Sequence, residues 1–98
     1  MKTFESTASV TIRYGREADG EALERLAQLD SQEALQGPVL VGEVGDEIWA
    51  AVSLSDYTVI ADPFRPSGEL AFLLVERARQ LRRHAGRRRR RAFRPAFA

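Results

Sequence analysis

The sequence predicts an α+β domain, a mixed or antiparallel sheet of about four strands carrying two main helices. Three observations predict it. Short runs rich in Val, Ile and Thr occur at 9–14, 39–44, 47–54 and 58–61. Two longer runs, 20–30 and 67–85, space their apolar residues at helical intervals. Gly45-Asp46, between the two middle runs, is a two-residue loop of the kind that closes antiparallel hairpins. The resulting order is strand, helix, strand, strand, strand, helix, followed by a tail, with no internal repeat.

Each element follows from its residues. "SVTIRY" alternates Val10, Ile12 and Tyr14 with Thr11 and Arg13, the period-two pattern of a half-buried strand. Asp19 is placed to cap the next helix through its carboxylate, and Glu21 and Glu24 fall near the positive end of that helix's dipole. Ala22, Leu23, Leu26, Ala27 and Leu29 form its apolar stripe. "SQEAL" is expected to add a turn before Gly37-Pro38 ends helical structure. In "EIWAAVSL", alternation places Ile48, Ala50, Val52 and Leu54 on one face and Trp49 and Ala51 on the other, so cover on both faces is expected. "TVIA" follows a turn at Ser55-Asp56. The last helix starts at Ser67 as N-cap and sets Leu70, Leu73, Leu74, Ala78 and Leu81 along one side, widened by Phe72 and Val75. Gly86 is its expected stop.

The chain has 98 residues, 44% of them apolar, enough for one domain. A chain this short buries only somewhat above ~60% of its unfolded surface, so the stability margin is thin and a partner helps. There is no cysteine and a single histidine, His84, which argues against disulfides, thiolate metal sites and histidine-rich metal sites. "MKTFESTASV" does not resemble a secretory signal, and the longest apolar run, "LAFLLV", is far short of the roughly 20 residues of a membrane span. A cytoplasmic, not transmembrane, protein is the expectation. Residues 1–8 are expected to be a flexible lead, 9–85 the domain and 86–98 an arginine-rich tail. Charge is divided unevenly: residues 1–76 carry a net −9, whereas 77–98 carry +10 with no acid.

The order of elements and several local words resemble the GNAT superfamily of N-acetyltransferases over roughly residues 9 to 83. "VTIRYGREADGEALERLAQLD" is similar to the family's opening strand, turn and helix. "VLVGEVGDEIWAAVSL" resembles its second and third strands. "VIADPFRPSGELAFLLVERAR" resembles its fourth strand and the following helix, which together hold the pyrophosphate of acetyl-coenzyme A (acetyl-CoA). Of the family signature Q/R-x-x-G-x-G/A, Arg65, Pro66, Ser67 and Gly68 match the first half, Glu69 is the free position, and Leu70 stands where a small residue is usual. The resemblance therefore implies acetyl-CoA as cofactor, bound at most in part by Arg65, Ser67, Gly68, Glu69 and Leu70. It also implies a truncated domain, because a full member continues into another strand, another helix and a closing hairpin. Family members commonly hold a proton-donating tyrosine in that region, a role that neither Tyr14 nor Tyr57 inherits. No catalytic residue is singled out.

Physical chemistry gives the same loop two readings. Unpaired N–H groups at a helix N-terminus attract anions, and Arg65 could add a fork of donors. Against this, Pro66 supplies no N–H, Glu69 adds negative charge and Leu70 obstructs approach. The other reading is a proline-punctuated turn that directs the helix across the sheet. Glu43 and Glu47 are expected on solvated strand ends.

The tail "RRHAGRRRRRAFRPAFA" also has several readings. Arg87, Arg88, Arg89, Arg90, Arg91 and Arg94, with Phe93 and Phe97, suit nucleic acid with little sequence preference. An anionic membrane surface or a protein partner is a second option, and a solvated tail or one folded back on the acidic body a third. Three functions follow as expectations. The first is a binding or assembly module, a homo-oligomer or hetero-complex joined through an open sheet edge. The second is an active N-acetyltransferase completed by a partner subunit. The third is a small nucleic-acid-binding protein acting through its tail.

Overall fold

A computed structural model describes the backbone of residues 9–92 and the side chains of residues 9–85. The elements are β1 (Val10–Tyr14), a 3-10 turn (Glu17–Asp19), α1 (Gly20–Leu29), β2 (Val39–Val44), β3 (Glu47–Ser53), β4 (Val59–Ala61) and α2 (Gly68–Ala92). The four strands form one antiparallel sheet in the order β1-β2-β3-β4. The fold is thus α+β, as the alternating runs and the hairpin predict. Gly45 sits at φ +63° in the first loop position, where a two-residue hairpin favours glycine.

The sheet is covered on both faces, because strand alternation sends successive side chains to opposite sides. Val39 and Val41 of β2, with Ala51 and Ile60, pack under Leu26 and Ala27 of α1. Leu40, Ala50 and Val52 pack under Leu70, Leu74 and Ala78 of α2. The result is three layers, helix on sheet on helix.

Alternation in β3 does not hold along its whole length. The pairing shifts from Gly42 opposite Ala50 to Glu43 opposite Ile48, so Trp49 is an extra residue, a β-bulge. Ile48 consequently packs with the α1 face and Trp49 with the α2 face, the reverse of the expected assignment. The helical stripe of α2 is also narrower than its spacing suggests: Phe72 is 63% exposed and Leu73 47%.

Both helix ends depart from expectation. Asp19 makes no side-chain cap on α1. Beyond α1, Ser31 adopts φ +54°, its N–H donates to the Gln28 carbonyl, and the Gln32 N–H donates to the Ala27 carbonyl. These paired bonds close the helix in the manner of a Schellman motif, so "SQEAL" adds no turn, although Leu35 still packs against the α1-face core. Gly86 does not stop α2, which runs on to Ala92. Arginine is a strong helix former, and one glycine costs only about 1 kcal/mol relative to alanine. No described helix is long and apolar enough to cross a membrane.

Candidate functional site

The β4–α2 loop is built from its backbone outward. Asp62 donates its N–H to the Trp49 carbonyl at 2.9 Å, which fastens the loop to β3 at the bulge. The Asp62 carboxylate accepts from the Phe64 N–H (2.8 Å), and its carbonyl accepts from the Arg65 N–H (3.2 Å) and the Ser67 hydroxyl (2.9 Å). One aspartate therefore organises the turn, a local side-chain-to-backbone pattern that aspartate favours. Ser67 is buried, and its hydroxyl serves as a donor to Asp62. The first bond of α2 is from the Ala71 N–H to the Ser67 carbonyl, so the amides of Gly68, Glu69 and Leu70 precede it.

Arg65 is occupied. Its guanidinium lies 2.8 Å from Glu47 and 4.0 Å from Asp62, and it covers the Trp49 ring at 5.4 Å. Glu47 in turn accepts from the Trp49 indole N–H at 3.3 Å. Leu70, 6% exposed, belongs to the α2-face core and lies over Gly42. The residues that the signature nominates are thus brought to one place, but they do not converge on one space. Arg65 pairs with β3, Leu70 faces the sheet, and Ser67 bonds back into the loop. An incoming pyrophosphate would compete with Glu47 for Arg65 and would meet the negative charge of Asp62 and Glu69 beside it.

A second feature lies on the neighbouring edge. The Ser53 N–H donates to Thr58 and the Asp62 N–H to Trp49, and antiparallel alternation then turns Val59 and Ala61 outward. The Ala61 N–H is met by the Asp30 carboxylate at 3.0 Å. No described residue accepts from the Val59 N–H. Beside this edge Val59, Ala71, Phe72, Val75, Glu76 and Arg79 line an open, mainly apolar groove. Exposed Phe72 stands in it.

Sequence reasoning missed a charged cluster joining three elements. Arg13 donates to both carboxylate oxygens of Asp19, at 2.8 and 3.0 Å, and to both of Glu43, at 3.3 and 3.2 Å. Asp19 also accepts from the Arg16 N–H at 2.7 Å. Arg13's hydrogen bonds hold the Asp19 carboxyl down at about 2, against the opposing effect of desolvation. The same bonds, led by that to Asp19, raise the Arg13 guanidinium above its usual value. Glu43 is therefore paired and half-buried, not solvated as its place near the hairpin suggests, whereas Glu47 is exposed at the start of β3 as expected and pairs with Arg65 at the surface. Only the I-R at the end of β1 and the acid after the turn hint at this cluster. Among the described residues no three His, Cys, Asp or Glu side chains are grouped to hold a metal.

Arg87–Arg91 lie on α2 by their backbone, with side chains outside the described residues. Phe93, Arg94, Phe97 and the N-terminal lead 1–8 are wholly outside them. No family model, curated protein or solved structure matches the chain.

Proposed function

We propose that the chain is a GNAT-like module with at most partial acetyl-CoA binding, one that works by assembly rather than turnover. The observation that carries this reading is the outward edge of β4 beside the apolar groove of Val59, Phe72 and Val75. Unpaired strand edges recruit further strands. Exposed apolar surface next to such an edge adds burial to the backbone bonds. The occupant is a second copy of the same chain. Glu76 and Arg79 give the groove one charge of each sign, so a copy related by a two-fold axis brings the opposite charge to each. Continuing the sheet through β4 from copy to copy would set the two α2 helices side by side on one face. The order of elements and the quoted sequence words support the kinship, and the occupied Arg65 and buried Leu70 support the absence of a full coenzyme site.

The test is a thermal melt of residues 1–86 with and without acetyl-CoA; shortening removes the arginine run, whose charge would otherwise draw the coenzyme's phosphates independently of the loop. A ligand present at a thousandfold excess over its dissociation constant stabilises by about 4 kcal/mol, more than about 10 °C for a domain of this size. The expected shift is a small fraction of that. A shift of the full size, with free thiol released from acetyl-CoA, would overturn the reading in favour of an acyltransferase.

A further inference from the structure

The arginines of α2 begin where the helix is still packed on the sheet. Arg77, Arg79, Arg82 and Arg83 are all exposed. Arg79 and Arg82 lie over the Tyr57 ring, 5.9 and 5.7 Å from its centroid. Arg77 and Arg83 instead line a shallow groove with Gln80, Leu81 and His84. Helical spacing continues that line, since Arg77, Gln80, His84, Arg87 and Arg91 follow one another at alternating intervals of three and four. The segment from Arg77 to Ala92 holds nine arginines and no acid. It spans roughly 24 Å at helical rise.

Two features select the partner. Arg87–Arg91 occupy five consecutive helical positions, which at about 100° apiece go right round the axis. A flat anionic surface meets one side of a helix, whereas a groove walled by two phosphate strands meets both. In addition, the only apolar residues from Arg82 to Ala92 are Ala85 and Ala92, so this half of α2 lacks the bulky apolar face that an interfacial membrane helix sinks into lipid. A helix ~10–12 Å across matches the ~12 Å major groove of B-form DNA, while the major groove of duplex RNA is too narrow.

We propose that α2 from Arg77 onward is a DNA-binding helix that holds the phosphate backbone of duplex DNA without reading its sequence, through Arg77, Arg83 and Arg87–Arg91. The body of the chain, at net −9 over residues 1–76, is repelled by the same phosphates, which leaves this helix as the contact. The inference goes beyond assembly through β4 and does not depend on it.

The experiment is fluorescence anisotropy of the full chain with two labelled DNA duplexes of unrelated sequence, titrated over a salt series. Polyglutamate and phosphatidylglycerol vesicles serve as competitors. The expected result is equal binding of both duplexes within about threefold, with affinity falling steeply in salt and neither competitor displacing the DNA. Arg87→Gln, Arg89→Gln and Arg91→Gln together should weaken binding at least tenfold and flatten the salt slope by about one per arginine, with the melting temperature unchanged. Arg77→Gln with Arg83→Gln should do the same to a smaller degree. Absence of binding at low salt, an unaltered slope in the triple variant, or displacement by polyglutamate or vesicles would each overturn the proposal.

Discussion

Leu70 and Gly42 make a pair whose meaning differs from either residue alone. A Cβ on Gly42 would stand 2.9 Å from Cγ, Cδ1 and Cδ2 of Leu70. The glycine in β2 therefore makes room for the leucine of α2, and the helix seats on the sheet through that gap. Leu70→Ala is expected to cost about 2–4 kcal/mol by leaving a cavity, and Gly42→Ala about 1–3 kcal/mol by overpacking. In the Leu70→Ala background, Gly42→Ala should cost well under 1 kcal/mol, because the clash is gone. Urea unfolding of the four species of this cycle measures it; equal costs of Gly42→Ala in both backgrounds would contradict the packing. The sequence showed Leu70 in two roles, core stripe and motif position. What it could not show is that a glycine two strands away in the chain faces it, since long-range contacts leave no mark on local spacing.

Among the elements, Arg13 of β1 ties the start of α1 to β2, and its strength is set by Asp19. That carboxyl binds a proton less readily folded, at about 2, than in the open chain, where the reference is 3.8. Its contribution is thus fully present above pH ~4 and is lost as the pH falls toward 2. With Asp19 buried, a shift from 3.8 to about 2 amounts to about 2 kcal/mol. Asp19→Asn should therefore lower stability at neutral pH by that amount and flatten its decline between pH 4 and 2. Denaturant melts across this range check it, and a variant with an unchanged acid limb would contradict it.

Element existence and order were legible because period-two and helical spacing are strong local signals. Three features were not. The bulge at Trp49 reverses the faces of Ile48 and Trp49 with no glycine or proline in β3 itself to announce it. The end of α1 uses Ser31 in the left-handed position where glycine is usual. Gly86 looks like a stop but lies inside a helix that the following arginines extend.

At the scale of the whole molecule, three layers and a divided charge define what the chain presents. The α1 and α2 faces of the sheet are closed. The sheet has two outer edges, β1 with exposed Val10 and Tyr14 and β4 flanked by exposed Phe72, and by sequence the positive charge is concentrated in the second half of α2. The β4–α2 loop was readable from the sequence as a motif, but the partners of its side chains were not. Whether Arg65 meets a ligand or Glu47 depends on a strand hydrogen-bonded elsewhere, and the chain's spacing carries no record of that pairing. An open edge at "TVIA" was expected from the resemblance, since a full family member would continue the sheet there. The Asp30 carboxylate that blunts half of it was not, because it comes from the far end of α1.

The measurement that tests assembly most directly is amide hydrogen exchange at Val59, read by NMR in dilute and in concentrated solution alongside light scattering. Pairing of β4 with a second copy predicts that the Val59 amide becomes protected as the dimer forms, while the Ala61 amide, already bonded to Asp30, changes little. A strictly monomeric chain at the highest concentration, or a dimer in which Val59 exchanges as fast as in dilute solution, would contradict the account.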